Sequence, residues 1–443
     1  MPTLRVITLG CSKNTVDTEH LLSQVAGKYT VVGEEMPGQA GHDVIPDVLL
    51  INTCGFIGDA KQESIDTILE AVQQHAGKKI YVFGCLSQRY AAELPALIPE
   101  VDGWFGARSQ DELVRALGCT PKPRPGRVLT APSRPYAFLK ISEGCDRRCS
   151  YCAIPLIRGA HRSVPVEVLV AEAEELARQG IRELVVIAQD TTWYGLDLYG
   201  KRALADLLEA LSRVDGIRWI RLHYSYPSSF PEDVLQVMAG NPKVCRYLDI
   251  PLQHIADPVL EAMHRGIDSA ATRALIRKMR EAVPGVVLRT TMMVGHPGEG
   301  RSEFLELLSF IREARFERLG AFAYSEEEGT FGAEHLRDSV DPRTKRRRLD
   351  ALMAAQMEIS LAANRARLGQ ETLVLADDFV DGYFVCRSEF ESPEVDGEII
   401  VPFRRETFGD MDPYALVGTF FRVRIDGASE YDLSAEFIAY EDD

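Results

Sequence analysis

Short apolar runs alternate with amphipathic helical stretches over residues 1–330, and this alternation is the strongest constraint on the fold. In the N-terminal part, three candidate strands at 4–9, 48–53 and 79–84 are separated by helical patterns such as 57–75. Strand–helix–strand order predicts a parallel sheet with right-handed crossovers. We therefore predict an α/β protein that begins with a doubly wound parallel domain over residues 1–119.

A second series of apolar runs follows a stretch rich in proline and basic residues at 120–135, which we interpret as a semi-rigid linker. Six candidate strands occupy 137–142, 183–189, 217–224, 244–250, 286–294 and 319–324. Six β/α units fit a complete small barrel or, as we expect, an open partial (β/α)6 TIM-like barrel over 136–340. Polar stretches follow the strands, namely AQDTT, HYSYP, PLQH, GHPGE and YSEEEGT, and we expect them at the catalytic edge.

The C-terminal part differs in pattern from the rest of the chain. Residues 341–369 predict one connecting helix, with Pro342 near its start and Gly369 at its end. About five short alternating runs follow within 370–443 and predict a small antiparallel β-barrel or sandwich. A chain of 443 residues is too long for a single core, so several domains are expected.

Membrane and disulfide-based classes are disfavoured by the composition. The chain contains no apolar stretch near the ~20 residues that a membrane span needs, and its first residues lack the pattern of a signal peptide. We therefore expect a cytoplasmic protein without membrane contact, and a monomer. Nine cysteines in a reducing compartment favour metal or redox roles over disulfides.

Three of these cysteines lie in the stretch ISEGCDRRCSYCAIP as Cys145, Cys149 and Cys152, directly after a predicted strand. Zinc would need a fourth ligand, which His161 could supply. An iron–sulfur cluster is the stronger interpretation, because thiolates hold the irons of a [4Fe–4S] cubane. Three protein thiolates leave one iron free for a further ligand.

C-x₃-C-x₂-C after the first strand of a six-unit β/α barrel resembles the radical S-adenosylmethionine (SAM) superfamily. The resemblance implies that the free iron chelates SAM and that the reduced cluster cleaves it to methionine and a deoxyadenosyl radical. It further implies that Tyr151 lies beside the adenine, although this residue could also be a simple packing tyrosine. Within the ring of polar strand ends, Gln189, Gln253 and Glu299 are the expected SAM contacts.

A second triplet is hidden by its spacing in the sequence. Cys11, Cys54 and Cys85 each lie one or two residues beyond a predicted strand of the first domain. Parallel strands end at one edge of a sheet, where ligands bind, so these thiols are expected to converge. A single such cysteine would suggest a buried small side chain, but three at equivalent positions favour a second [4Fe–4S] cluster. The remaining three, Cys119, Cys245 and Cys386, show no such relation and are interpreted as structural.

Two three-thiolate sites in this domain order resemble the radical SAM methylthiotransferase family over the whole chain, with a C-terminal TRAM domain. The resemblance implies that a radical removes hydrogen from an unactivated carbon, that sulfur from the N-terminal cluster is inserted there, and that a second SAM donates the methyl group. It also implies an external reductant, a flavodoxin or ferredoxin.

The family has a branch that modifies a tRNA adenosine and a RimO-type branch that modifies the β-carbon of an aspartate in small-subunit ribosomal protein uS12. Residues 371–443 carry a net charge of −14, which repels a phosphate backbone and suits a basic ribosomal protein. AQDTT and YSEEEGT also resemble the ribosomal-protein branch. We therefore predict uS12 as the partner, docked on the acidic C-terminal domain.

Two other functions stay open beside this prediction. The basic run RTKRRR at 343–348 could contact RNA, including ribosomal RNA, although we expect a solvated helix face that pairs with the acidic tail. A tRNA methylthiotransferase is the enzymatic alternative. An iron–sulfur scaffold or electron carrier is the non-catalytic one.

Overall fold

The computed structural model describes residues 1–32, 45–75, 77–123 and 126–441. Residues 124 and 125 of the predicted linker and residues 442 and 443 of the predicted C-terminal domain therefore lie outside the described residues. None of the described helices is both long and apolar enough to cross a membrane.

The N-terminal part is a parallel sheet of five strands in the order β2-β1-β3-β4-β5 with helices on both faces. Its strands are β1 Thr3–Thr8, β2 Thr30–Val31, β3 Val48–Thr53, β4 Lys79–Gly84 and β5 Gly103–Gly106. Its helices are α1 Ser12–Val25, α2 Gly58–Gln74, α3 Cys85–Arg89, α4 Leu94–Leu97 and α5 Gln110–Ala116. Helices α1 and α5 pack on one face, and α2, α3 and α4 pack on the other. This confirms the doubly wound arrangement, with β2 and β5 as additional edge strands.

The central part is a six-stranded parallel sheet in the order β13-β12-β11-β10-β9-β6, with a small β7–β8 hairpin beside it. Its strands are β6 Tyr136–Lys140, β7 Ser142–Glu143, β8 Arg162–Ser163, β9 Glu183–Ile187, β10 Trp219–Leu222, β11 Val244–Asp249, β12 Val287–Val294 and β13 Arg318–Ala323. The helices that follow are α6 Ile154–Arg158, α7 Val166–Arg178, α8 Leu196–Tyr199, α9 Leu204–Ser212, α10 Glu232–Gly240, α11 Asp257–Ala262, α12 Ser269–Ala282, α13 Arg301–Ala314 and α14 Phe331–His335. Strands β6 and β13 are its two edges, so the barrel is open and partial, as expected.

The predicted linker packs against the two α/β units instead of spanning between them. The Arg127 guanidinium group is buried between the carboxylates of Glu19 and Glu172. Leu129 lies in the apolar core of the barrel. The sequence is rich in proline and basic residues here, and the interpretation as a semi-rigid linker did not predict these contacts.

A 24-residue helix, α15 Pro342–Arg365, leads to a closed five-stranded barrel at the C-terminus. The barrel consists of β14 Glu371–Val380, β15 Tyr383–Arg387, β16 Ile399–Pro402, β17 Phe420–Ala428 and β18 Leu433–Tyr440, with the short helix α16 Arg405–Phe408 between β16 and β17. Four of its pairings are antiparallel, whereas β16 and β18 pair in parallel. The expected small β-barrel is therefore confirmed, with one parallel pairing that an alternating pattern does not reveal.

Buried ion pairs join this small barrel to the inner face of the large one. Arg221 on β10 lies 2.6 Å from Glu183 on β9, and Arg387 from the small barrel lies 2.8 Å from the same carboxylate. Arg318 on β13 likewise pairs with Glu391 at 3.0 Å. Because charges are costly to bury unless paired, this layer fixes the position of the C-terminal domain.

Arg221→Met would leave Glu183 with Arg387 as its one cationic partner in this layer. Breaking a buried pair from one side typically costs about 3–5 kcal/mol, so we expect a clear fall in the urea midpoint of unfolding. Arg178→Met is the matched control, because Arg178 pairs with Glu175 at the surface, with 69% of its side chain exposed. Equal urea midpoints for the two variants would contradict a stabilising role for this layer of buried ion pairs.

Candidate active site

All six predicted ligand cysteines lie at the C-terminal edges of the two parallel sheets. Cys11 precedes α1 just after β1, Cys54 follows β3, and Cys85 is the first residue of α3 directly after β4. The other three, Cys145, Cys149 and Cys152, lie in the loop between β7 and α6. Ligands of parallel α/β sheets bind at this edge, so the positions are those where a cofactor is expected.

The N-terminal triplet is drawn together by two glycines in the left-handed region. Gly10 has a φ of +97°, and a Cβ atom there would lie 2.9 Å from the Cβ of Cys54. Gly84 has a φ of +109°, and a Cβ atom there would lie 2.7 Å from the backbone oxygen of Thr53. A side chain would fit neither position, so glycine allows the ends of β1, β3 and β4 to approach one another closely.

The three thiols of this triplet differ in their electrostatic surroundings. Desolvation opposes ionisation of Cys11, but the charges of Lys13 and Arg158 and the backbone N–H groups of Lys13 and Asn14 outweigh it and lower its pKa. Burial raises the pKa of Cys54, and it raises that of Cys85 to about 11. The pKa of Cys85 is raised further by the nearby Cys11 and Cys54, as expected for thiols that share one site.

The second triplet is enclosed by aromatic and cationic side chains. Arg265 is buried and donates from one nitrogen to the Sγ of Cys149 at 3.4 Å and to the hydroxyl of Tyr151 at 3.2 Å. The Tyr226 hydroxyl lies 3.5 Å from the same Cys149 sulfur. Burial raises the pKa of Cys145 and of Cys152 to about 12 in the absence of a bound cation.

Among the described residues, neither triplet forms a ligand set for a single metal ion, because no three His, Cys, Asp or Glu side chains there are close enough to share one. The thiolates of a [4Fe–4S] cubane bind different irons, so such a cluster does not require three thiols to meet at one ion. His161 Nε2 hydrogen-bonds Ser163 at 3.1 Å and lies 3.9 Å from Asp197, and its Nδ1 is buried without a partner among the described residues. His161 belongs to no group of described residues that could hold a metal ion. A cation such as Arg265 beside a thiolate ligand is typical of the surroundings that tune a cluster.

The two triplets adjoin one another across the domain boundary. Cys85 packs against Ala153 and Ile157 in a small apolar cluster, and Ala153 directly follows Cys152 in the sequence. The N-terminal triplet therefore lies next to the cysteine loop of the barrel.

Arg158 is the polar centre of this contact. Its guanidinium group donates to Cys85 Sγ at 3.3 Å, to Asn14 Oδ1 at 2.6 Å and to Asp17 Oδ2 at 2.6 Å. It also donates to Glu143 at 3.2 Å. Burial opposes ionisation of Asp17, but Lys140 and Arg158 lower its pKa to about 2, so the charged network is complete at neutral pH.

The predicted SAM contacts all lie at the C-terminal edge of the barrel. The Gln189 amide donates to Glu143 at 2.7 Å, and Gln253 is buried with a φ of +74°. The Oε1 atoms of both glutamines are buried and have no hydrogen-bond partner among the described residues. Glu299 already accepts from the Gly295 N–H and from Arg348, both at 2.7 Å. The two glutamines therefore have free acceptors for a ligand, and all three contacts remain predictions.

Sequence reasoning missed the cations that surround the thiols. Arg158 and Arg265 have no motif of their own, and their partners are distant in the sequence. Arg147 was also missed; its guanidinium group lies 4.2 Å from the Trp193 ring centroid and 3.9 Å from that of Tyr226. For Arg158, the sequence offered one signal, which is a charged residue at the end of the otherwise apolar helix IPLIR.

We expect reduced, metal-free protein to react first at Cys11 when it is treated with iodoacetamide at neutral pH. Cys11 is exposed and its pKa is lowered, so a larger fraction is thiolate, which is the reactive form. Cys145 is buried, and its pKa and that of Cys152 are about 12, so both should react slowly. Peptide mass mapping over time measures the order, and labelling of Cys145 or Cys152 as fast as Cys11 would contradict it.

Three family models match successive parts of the chain. Residues 3–106 match "Uncharacterized protein family UPF0004", residues 139–311 match the "Radical SAM superfamily", and residues 368–438 match the "TRAM domain". Among solved structures, the radical SAM methyltransferase TsrM from Kitasatospora setae has a TM-score of 0.55 at 14% identity and covers 94% of this chain and 85% of its own. This likeness shows a shared fold.

Curated relatives match along nearly the whole length. The ribosomal protein uS12 methylthiotransferase RimO of Phocaeicola vulgatus is 46% identical, with 98% of this chain and 99% of that protein covered. The proteins of the same name from Porphyromonas gingivalis and Flavobacterium johnsoniae are 48% and 46% identical, each with 98% of this chain and 98% and 97% of their own length covered. At this identity and coverage, the chain belongs to the RimO-type methylthiotransferase family within the radical SAM superfamily.

Proposed function

We propose that this enzyme adds a methylthio group to the β-carbon of an aspartate in small-subunit ribosomal protein uS12. The observation that carries the proposal is the contact between the two cysteine triplets, in which Cys85 packs against Ala153 beside Cys152. A methylthiotransferase must bring a radical source and a sulfur source to one carbon, and facing triplets meet this requirement. The names of the curated relatives support uS12 as the protein substrate.

As a radical SAM enzyme, the chain uses a [4Fe–4S] cluster and SAM. We assign the ligands of this cluster to Cys145, Cys149 and Cys152. Bound there, the cluster and SAM supply reductive cleavage of a carbon–sulfur bond. Arg265 offsets negative charge at Cys149, and its hydrogen bond to the Tyr151 hydroxyl fixes that ring at the edge of His296. Tyr151 is thereby oriented for contact with the adenine of SAM.

A second [4Fe–4S] cluster on Cys11, Cys54 and Cys85 is the further part of the proposal. The converging strand ends and the Arg158 hydrogen bond to Cys85 support it. The same arginine contacts Glu143, which receives the Gln189 amide. The side chains of Glu143 and Arg158 therefore connect Gln189, a proposed SAM contact, to Cys85, a proposed ligand of the second cluster.

Water must be kept from a radical site, and α1 contributes to this exclusion. Val16 on α1 packs against Phe138, Val185 and Ile187 on the inner face of the open barrel. On the opposite side of the cysteine loop, Glu327 of YSEEEGT is held by Lys61 at 2.9 Å and by Arg89 at 2.8 Å. Both contacts close the N-terminal domain over the barrel edge.

We further propose that basic uS12 docks on the exposed acidic side chains of the C-terminal domain. Several of its acidic residues bind arginines of the central domain or of the small barrel itself, among them Asp377, Glu389, Glu391 and Asp396 in or near the domain contact and Glu371 and Glu441 on the barrel surface. Exposed carboxylates remain at Asp378, Asp381, Glu398, Asp410, Asp412, Asp426 and Asp432. Charge complementarity of this kind mainly speeds and orients association.

Within the part of the chain that the structure describes, the basic run 343–348 makes no ion pair with the acidic tail, contrary to our expectation. Lys345 is buried and binds Asp338, and Arg348 binds Glu299 at 2.7 Å, so both contact the barrel. Exposed cations remain at Arg343, Arg346 and Arg347, and Arg346 lies 3.3 Å from Asp350. Contact of these arginines with ribosomal RNA, a monomeric state and reduction by a flavodoxin or ferredoxin complete the proposal.

Deletion of this enzyme from its host should remove one methylthio group from uS12. Mass spectrometry of the ribosomal protein measures this loss, and re-expression of the chain should restore the group. An unchanged mass of uS12, together with loss of methylthioadenosine from tRNA, would overturn the proposal in favour of the tRNA enzyme.

Anaerobic reconstitution should yield about eight irons per chain, as two [4Fe–4S] clusters require. The triple variant Cys11→Ala, Cys54→Ala, Cys85→Ala should hold about four irons and still cleave SAM, because the barrel cysteines are intact. Cys119→Ala is the control and should match the parent protein, since Cys119 packs at the edge of the N-terminal core. A triple variant with the full iron content would exclude the second cluster.

A further inference from the structure

Lys13 is a largely buried lysine whose ammonium group has no carboxylate partner among the described residues. The residue is 8% exposed, and among the described residues its Nζ atom has neither a hydrogen-bond acceptor nor a carboxylate within ion-pair distance. Burying an ammonium group is costly unless an anion compensates it. An unpaired cation in such a position therefore points to an anionic ligand that binds there.

The ammonium group lies at the mouth of the barrel. Lys13 is in the first turn of α1, two residues after Cys11, and its Nζ atom lies 3.1 Å from the centroid of the Tyr224 ring. Tyr224 follows β10 in the HYSYP loop and has a φ of +56°, with its N–H held by Asp249 Oδ2 at 3.0 Å. The ring positions the cation through a cation–π contact but accepts none of its three N–H donors as a carboxylate would.

Three neighbouring cations at the same edge have carboxylate partners. Arg158 and Lys140 both bind Asp17 and Glu143. Arg147 binds Asp190 at 2.8 Å. Of these four cations, Lys13 is the one without a carboxylate within ion-pair distance among the described residues, and its charge lowers the pKa of Cys11. Consistent with this, burial lowers the pKa of the neighbouring His223 to about 3, and Lys13 is among the positive charges that add to this effect.

We infer that Lys13 binds the carboxylate of the target aspartate. This inference rests on the proposed function and specifies its substrate recognition. The β-carbon of aspartate bears the side-chain carboxylate directly, so an ammonium group that holds the carboxylate also positions the reacting carbon. Lys13 holds it next to Cys11, between the two triplets. A charged contact of this kind selects aspartate over asparagine and over an uncharged nucleobase.

The test compares binding of unmodified uS12 and of uS12 with the target aspartate changed to asparagine. Both are titrated against reconstituted enzyme with SAM present and no reductant, by fluorescence anisotropy. A charge-assisted pair predicts that the parent enzyme prefers the aspartate form by about tenfold or more. Lys13→Met should lose this preference through weaker binding of the aspartate form, and Lys13→Arg should keep part of it.

Lys28→Met is the matched control. Lys28 also lies near a tyrosine ring, 5.7 Å from the centroid of Tyr29, but it is exposed on the surface of the N-terminal domain. This variant should keep the full preference for aspartate. Lys13→Met should also keep the deoxyadenosine yield from SAM of the parent enzyme, because Cys145, Cys149 and Cys152 are unchanged.

Three results would overturn the inference. Lys13→Met could retain the parent preference for aspartate. It could instead lose SAM cleavage, which would show that Lys13 serves a cofactor. A parent enzyme that neither binds nor modifies uS12 would refute the proposed function as well, whereas the first two results leave that function intact.

Discussion

The buried guanidinium group of Arg158 carries the contact on which the arrangement of the two triplets depends. It extends from the helix after the barrel cysteines and reaches Asn14, Asp17 and Cys85 of the N-terminal domain. A guanidinium presents several donors in a rigid fork and stays charged when it is buried. Lysine could not reach all of these partners from one position. The relative placement of the two domains is therefore fixed at the point where their cysteines meet.

The open barrel gains enclosure from elements outside its own sheet. At the C-terminal edge, α1 covers the inner face through Val16, and Lys13 extends over Tyr224. Toward the other end, Arg221 on β10 donates to main-chain oxygens of the C-terminal domain. Arg318 on β13 binds the carboxylate of Glu391 in the same domain. Elements of the N-terminal and C-terminal parts of the chain thus pack against the incomplete ring of six strands.

Regular patterns allowed much of this fold to be predicted. The strands that bear the cysteines have clear apolar runs, and parallel order places their ends at one edge. Strand β2 has two residues and β5 reads GWFG, so neither carries a usable pattern. The parallel pairing of β16 with β18 was not predictable either, because side-chain alternation does not depend on strand direction.

The contacts between domains were hidden for a different reason. Arg158 binds residues more than 140 positions away, and a local pattern contains no information about such partners. For the same reason the proline-rich linker was interpreted without the buried Arg127, and the basic run was assigned to the wrong acidic partners. Thiol positions follow from local strand ends, whereas the charges that surround them follow from tertiary packing.

Magnetic interaction between the two proposed clusters is the most direct test of adjacent triplets. Electron paramagnetic resonance of reconstituted protein with both clusters reduced should show spectra split or broadened by spin–spin coupling. That coupling should vanish when Cys11, Cys54 and Cys85 are replaced by alanine. A spectrum equal to the sum of two isolated clusters would contradict the account, because it would place the radical source and the sulfur source apart.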